Sequence, residues 1–473
     1  MRFCDENNYK LAVSNFNCWY PSSPNSNSLL YWLRNGDLSD TNAAISIINE
    51  VRNKFSGHLG FHSYYLDDEY PLWHPDRWAG VEFAARKIRE LDPARKSYIS
   101  NGGAPPQGFF DAAPDLDIYQ SDVYPLLHDR QPIYSDQQWE FDNRYLPHFN
   151  NLMNDIRGRR TEWQAIIQSM DERVPLNARR PNFYELRAMA YLALSRGARG
   201  ITYYVYGSSL SFGNAYQVQG LVDYSSFTST RLKWEDVHAP GQGEPSPFYD
   251  VTSLNLELAP LGSTIRKLRV YGAFPNAAIP SNIVGITAVS GDEIEVGTFK
   301  KIDTGTDSTE YFMLVNRVCN NQDGSVSSAQ TVSVTFNNSE ARGIFEVRSG
   351  NGWIVLAGGT FTDHFSPGEG RLYKVLSASS LPSLTIPSGS TLTVSSGVTA
   401  AFVTDASLTI NGTISAVANS SQHISLTHAG SSNWNGITQQ FNKFKPSILR
   451  PLLRKSSHCR LEFNFAFDFA LHV

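Results

Sequence analysis

From residue 1 to about 268 the chain alternates short apolar runs with longer stretches of helical period, the rhythm of strand–helix units around a parallel sheet. The apolar runs are Leu11-Ala12-Val13, leading into Asn15-Phe16-Asn17, then LGFHSYYL at 59–66, SYIS at 97–100, LDIY at 116–119, WQAIIQ at 163–168 and GITYYV at 200–205. Amphipathic periodicity between them predicts helices over 42–55, 76–91, 145–157, 182–197 and 250–268. The helix from 182 carries the clearest signals: Pro181 before it, Glu185 in its first turn and Gly197 at its end. The pattern supplies six strands where a (β/α)8 barrel needs eight. The two missing units are expected upstream of residue 1 rather than within 18–40. A barrel short of two strands leaves strand edges and apolar faces open, so residues 1–473 alone are expected to be poorly soluble.

The texture then changes twice. Over 269–377 helical period vanishes and short alternating strands follow one another (DEIEVGTF, EYFMLVNR, QTVSVTFN, GIFEVRS, GWIVLAG and, last, GRLYKVL), which predicts an antiparallel β-sandwich. Residues 378–438 are rich in Ser, Thr and Gly with evenly spaced short strands, such as GSTLTVSSGV and ASLTINGTISA. That rhythm predicts the first coils of a parallel β-helix, cut short after about two. Residues 439–473 lose the rhythm; they carry a basic run and then FNFAFDFAL, and are read as an unstructured or foreign tail.

Composition narrows the function. In 473 residues, 41% hydrophobic content is enough for real cores, and 12% aromatic content suits flat, ring-shaped ligands. A net charge of -5 speaks against a nucleic-acid partner. No apolar run reaches the ~18 residues of a membrane span. Cys4, Cys18, Cys319 and Cys459 are too scattered for a zinc site or a disulfide framework. No nucleophile elbow, P-loop or dinucleotide fingerprint is present, and no cofactor or metal site is expected.

In a barrel the residues just past each strand face the active site. Those positions hold Asp67-Asp68-Glu69-Tyr70-Pro71, Asn101-Gly102-Gly103, Gln120-Ser121-Asp122-Val123-Tyr124, Gln168 followed by Asp171-Glu172, and Tyr206. Three consecutive acids at a strand end are costly, because like charges repel and strands disfavour them. Crowded carboxyls of this kind serve proton donation to a glycosidic oxygen; the plainer use is to cap the next helix or pair with Arg77. Asp67, Asn101 and Gln168 are candidates to hydrogen-bond sugar hydroxyls, although Asn101 serves equally as a turn residue. Tyr124, Trp73, Trp163 and Tyr206 are candidates to stack on pyranose faces, core packing being the alternative for each. Arg179 and Arg180, before Pro181, read as a solvated helix entry.

LGFHSYYLDDEYP, IRELDPARKSYIS, DIYQSDVYP, WQAIIQSM and RRPNFYELRAMAYLALSRGARGITYYVYG occur in that order. Together they resemble the (β/α)8 glycoside hydrolases of the large retaining clan, in particular β-galactosidase-like bacterial secreted members, over residues 59 to about 210. The resemblance implies that LAVSNFN is the third barrel strand and that DDEYP is the fourth-strand motif, with Glu69 as proton donor and Asp68 as its alternate. It implies a carbohydrate substrate; the similarity of residues 384–438 to the β-helix repeats of bacterial secreted surface proteins implies a parent protein that is extracellular or on the cell surface. It also places the clan's nucleophilic Glu where this chain has Gln168, an amide that cannot act as nucleophile. Three readings stay open: Asp171 or Glu172 substitutes; Asp122 acts as base in an inverting mechanism; or a degenerate barrel binds or scaffolds glycan without cleaving it. A metal-dependent lyase or isomerase on the same barrel is a further rival.

Overall fold

The computed structural model describes residues 11–13, 33, 41–68, 72, 74–130, 133–172, 176–205, 209–210, 217–221, 247–280, 284–302, 309–319, 328–337, 340–356, 358–416, 418, 421–430, 434–439 and 470–471. The chain forms two compact units, divided between Ser253 and Leu254.

In the first unit a parallel half-barrel sheet runs β1 (Leu11–Val13), β2 (Phe61–Asp68), β3 (Lys96–Gly102), β4 (Ile118–Asp122), β5 (Glu162–Gln168) and β7 (Ile201–Tyr204). These are the six apolar runs of the sequence, in sequence order. The connecting helices are α1 (Thr41–Phe55), α2 (Trp78–Leu91), α3 (Phe109–Ala112), α4 (Tyr134–Glu140), α5 (Leu146–Ile156) and α6 (Phe183–Ser195). A single wide turn, Phe141–Tyr145, joins α4 to α5. The start of α6 is a reciprocal capping box. Asn182 Oδ1 accepts the Glu185 N–H, and the Glu185 carboxylate accepts the Asn182 N–H, both at 2.9 Å.

The two faces of the sheet differ in chemistry. On the helix side, Tyr64 donates to Asp92 at 2.9 Å, Tyr119 meets Phe109 and Phe110 edge-on or tilted, and Trp163 lies against Phe149 with ring centroids 4.9 Å apart. On the opposite face Tyr65 stacks on Tyr98, Tyr98 donates to Gln120, and Gln120 donates to Thr202 at 2.7 Å. A register shift between Tyr65 and Asp67 moves the end of β2 by one position relative to β3. After it, Asp67 pairs with Ile99 and Asp68 with Ser100.

The loop after β5 and the segment after β7 form a small antiparallel sheet that the apolar pattern does not predict: β6 (Asp171–Glu172), β9 (Gln217–Gln219) and β8 (Ser209–Leu210). Helix α7 (Pro247–Ile265) then leads out of the first unit.

The second unit contains a nine-stranded sheet and a three-stranded sheet, β11 (Ile286–Val289), β14 (Gln330–Phe336) and β17 (Thr360–Phe365). The larger sheet begins with β10 (Leu268–Pro275), β12 (Ile294–Lys301), β13 (Glu310–Asn316), β18 (Gly370–Ser377), β15 (Arg342–Glu346) and β16 (Gly352–Val355), all antiparallel. Phe312, Phe336, Phe361 and Tyr373 fill the shared core. At β16 the pairing switches to parallel. β20 (Thr391–Val394) lies beside β16, and β23 (Thr413–Ala416) beside β20. Two more parallel sets follow: β19 (Leu384–Ile386), β22 (Leu408–Ile410) and β25 (Ile437–Gln439); and β21 (Thr399–Phe402) with β24 (Ser425–His428). Successive passes of the chain therefore stack, Leu384 on Leu408 and Leu408 on Ile437.

The expectation of an unstructured tail from 439 holds neither for Gln439, which closes β25, nor for β26 (Ala470–Leu471), which pairs with β23. The rest of that tail lies outside the described residues, as do positions 18–32 and 34–40.

Candidate active site

The C-terminal ends of the parallel strands hold the candidate chemistry. Gly102, Asp122, Ile166 and Thr202 form one row across β3, β4, β5 and β7. The row above contains Gln168 and Tyr204. Register partners share a face, so this row stands on the same face as Tyr98, Gln120 and Thr202, away from the helices. Asp122 is half-buried. A Cβ built on Gly102 would stand 3.4 Å from Asp122 Oδ1, an ordinary contact, so the Asp122 carboxylate lies beside Gly102 of β3, the strand between β4 and β2. On β2 the pairing of Asp68 with Ser100 sets position 68 in the row just below Gly102. Glu69, Trp73 and Tyr206, three of the sequence candidates, lie outside the described residues.

Gly102 is exposed; a bare Cβ there would only touch Asp122, but the branched methyls of a valine would reach further toward its carboxylate. Gly102→Val is expected to push the Asp122 carboxylate out of place. Were Asp122 to act on a substrate, turnover should fall at least ~10-fold in this variant, while the melting temperature moves little because no buried contact is lost.

Several sequence candidates belong elsewhere. Asp67 is fully buried and pairs with Ile99, on the helix side, because the register shift in β2 reverses its direction. Asn101 is buried in register with Ser121, whose hydroxyl is bound from the helix side by His148 at 2.8 Å. That imidazole accepts the Ala104 N–H through Nδ1 at 3.2 Å, which leaves its proton on Nε2 for Ser121. Burial holds it neutral, with its pKa pushed down to about 4. Trp163 is a core residue and offers no face to a sugar; its indole N–H donates to the Arg196 carbonyl at 3.3 Å.

Gln168 stands at the strand end, yet its amide is spent on backbone. Its Oε1 accepts the Leu126 N–H at 3.0 Å, and its Nε2 donates to the Leu126 and Arg179 carbonyls at 2.9 and 2.6 Å. Fully buried, it ties the loop after β4 to the loop before α6. Both hydrogens of its amide are committed to these carbonyls.

Asp171 and Glu172 belong to the small sheet. Asp171 meets His128 Nε2 at 3.1 Å. The Glu172 backbone exchanges two hydrogen bonds with Ala178, both at 2.7 Å, and burial raises the pKa of its side chain. Arg179, expected in solvent, is buried between the carboxylates of Glu140 and Glu185.

Tyr204, which is not among the sequence candidates, lies at the same strand ends. Tyr204 is 37% exposed and stacks on Tyr124 with centroids 5.5 Å apart, giving an aromatic surface in the row above Asp122. The signal was there in principle, since Tyr204 shares the alternation phase of Thr202. Among the described residues no cluster of His, Cys, Asp and Glu could hold a metal ion, and no helix is long and apolar enough to cross a membrane.

No protein-family model matches the chain, and no curated protein matches it in sequence. Solved structures similar to it include glycoside hydrolases. A GH27 β-L-arabinopyranosidase from Geobacillus stearothermophilus aligns at 11% identity over 72% of this chain and 62% of that one, with a TM-score of 0.40. A family 39 glycoside hydrolase from Bacteroides cellulosilyticus aligns at 10% identity over 72% and 62%, with a TM-score of 0.33. A β-galactosidase from Rahnella sp. aligns at 11% identity over 50% and 41%, with a TM-score of 0.34. The chain thus spans 62% of the length of the first two.

Proposed function

We propose that this protein hydrolyses O-glycosidic bonds of an oligo- or polysaccharide, with Asp122 as one carboxylate and an acid at the end of β2 as the other. The observation that carries this reading is the place of the Asp122 carboxylate beside Gly102 of β3, the strand that lies between β4 and the strand ending in Asp68. One strand separates β2 from β4. Neighbouring strands lie ~4.8 Å apart, so the two backbones are ~9.6 Å apart before the side chains converge. That spacing suits the ~6.5–9.5 Å carboxyl separation of an inverting enzyme, which leaves room for a water between acid and sugar. Asp122 as base takes a proton from that water as its oxygen attacks the anomeric carbon. The acid, Glu69 or Asp68, gives its proton to the leaving oxygen as the C–O bond breaks. The Tyr124–Tyr204 surface supports the ring face, where sugar C–H groups meet an aromatic plane. We also read the stacked passes over 384–439 as the start of a β-helix, of the kind carried by exported surface proteins.

The test is to incubate the protein with a panel of aryl glycosides and follow the first-formed sugar by NMR. The product is expected with inverted anomeric configuration. Retention would remove Asp122 from the role of base. Binding without turnover on every glycoside would favour a glycan-binding barrel.

A further inference from the structure

The loop that follows Asp122 is anchored from behind by a buried ion cluster. Arg179 donates from Nη1 and Nη2 to the two oxygens of Glu185, at 2.9 and 2.8 Å. The same Nη2 donates to Glu140 Oε2 at 3.1 Å. The other Glu140 oxygen accepts the Leu127 N–H at 2.8 Å. Both carboxylates are fully buried. Glu185 is further satisfied by Gln137 at 2.8 Å and by its own capping box. Around this core the Arg179 N–H bonds the Leu126 carbonyl at 3.0 Å and the His128 N–H bonds the Asn177 carbonyl at 2.9 Å. Leu126, Leu127 and His128 are thus bonded through their backbone N–H groups to Gln168, Glu140 and Asn177, and Leu126 also accepts the Arg179 N–H. Tyr124 and Asp122 lie just before this welded stretch.

We propose that Arg179, held by Glu140 and Glu185, is the positioning residue for the loop that carries Tyr124, and that the clamp is tightest when Glu140 bears a proton. The argument is a charge count. One guanidinium faces two fully buried carboxylates. Glu185 engages both Nη atoms and uses the positive charge, so a second buried negative charge on Glu140 is left half-compensated. With a proton on it, Glu140 is neutral and its Oε1 still accepts the Leu127 N–H. In support, burial, helped by the Glu185 charge and opposed by the Leu127 N–H and Arg179, pushes Glu140 up to about 7. Its folded pKa lies above the usual carboxylate value. Its stabilising contribution is therefore present in full below about 4.5 and is lost as pH rises through about 7.

The experiment is amide hydrogen exchange on the ligand-free chain at pH 6 and pH 8, expressed as protection factors. Protection of Leu126, Leu127 and His128 is expected to fall ~10-fold from pH 6 to pH 8, relative to core amides of β4 and β5, as a group near pH 7 loses its proton. In Glu140→Gln, which keeps one oxygen to accept the Leu127 N–H, turns an NH2 toward Arg179 and cannot ionise, protection should be the same at pH 6 and pH 8. Equal protection at both pH values in the parent chain overturns the proposal, and so does an undiminished pH dependence in the variant. If Glu140→Gln does not fold, the pH dependence of the parent still decides. A second arm rests on the hydrolytic reading: KM for an aryl glycoside should rise over the same pH interval with the parent and not with the variant. Absence of all hydrolysis would defeat that reading and leave the exchange result standing by itself.

Discussion

Gln168→Glu is expected to destabilise the protein by ~3–5 kcal/mol at pH 7, and to create no nucleophile. The position invites the opposite expectation, since a strand-end glutamate is what a retaining glycosidase needs there. The surroundings forbid it. The Gln168 Nε2 atom donates to two carbonyl oxygens, of Leu126 and Arg179, and the side chain is wholly buried. A carboxylate would aim an acceptor at two acceptors without water to intervene. Protonation would restore one of the two bonds, so the loss should shrink as pH falls toward 5. Urea denaturation at pH 5 and pH 7 measures both effects. A variant as stable as its parent, or one with new retaining activity, would return Gln168 to the list of active-site residues.

Asp122→Asn is expected to lower kcat by ~10²–10⁴, the usual worth of a general base. KM and the melting temperature should change little. The amide has the same shape, fits the same space beside Gly102, and leaves no new buried charge in a half-exposed site. Steady-state kinetics on the best substrate of the aryl glycoside panel measures this. Turnover within a factor of two of the parent would show that the base lies elsewhere.

The strand order was legible because each run of the half-barrel is bounded by turn residues and followed by a stretch of helical period, most sharply at the capped helix from Phe183. The phase of those strands was not. WQAIIQ alternates between two faces, and nothing in the six letters says whether Trp163 or Gln168 faces the helices. The answer comes from what lies opposite, Phe149 for the indole and two backbone carbonyls for the amide. In β2 the obstacle was a single irregular register step, which turns Asp67 onto the helix side while the three acids remain adjacent in sequence. Arg179 was misread for a similar reason. Two arginines before a proline look solvated unless one knows that Glu140, far off in the chain, comes to meet them. Asp122 was legible as a candidate, but its preference over Asp171 and Glu172 rests on Gly102, one strand away.

The change from antiparallel to parallel pairing at β16 has a mechanical consequence. One continuous ladder of hydrogen bonds runs from the sandwich into the stacked coil, and Phe345 and Ile354 of the sandwich strands share a core with Leu392 and Phe402 of the coil. The coil therefore has a ready-made first rung on which to zip up, and need not nucleate on its own. A force drawing on the coil is carried through the sheet in which β16 and β18 flank β15, rather than through a flexible hinge.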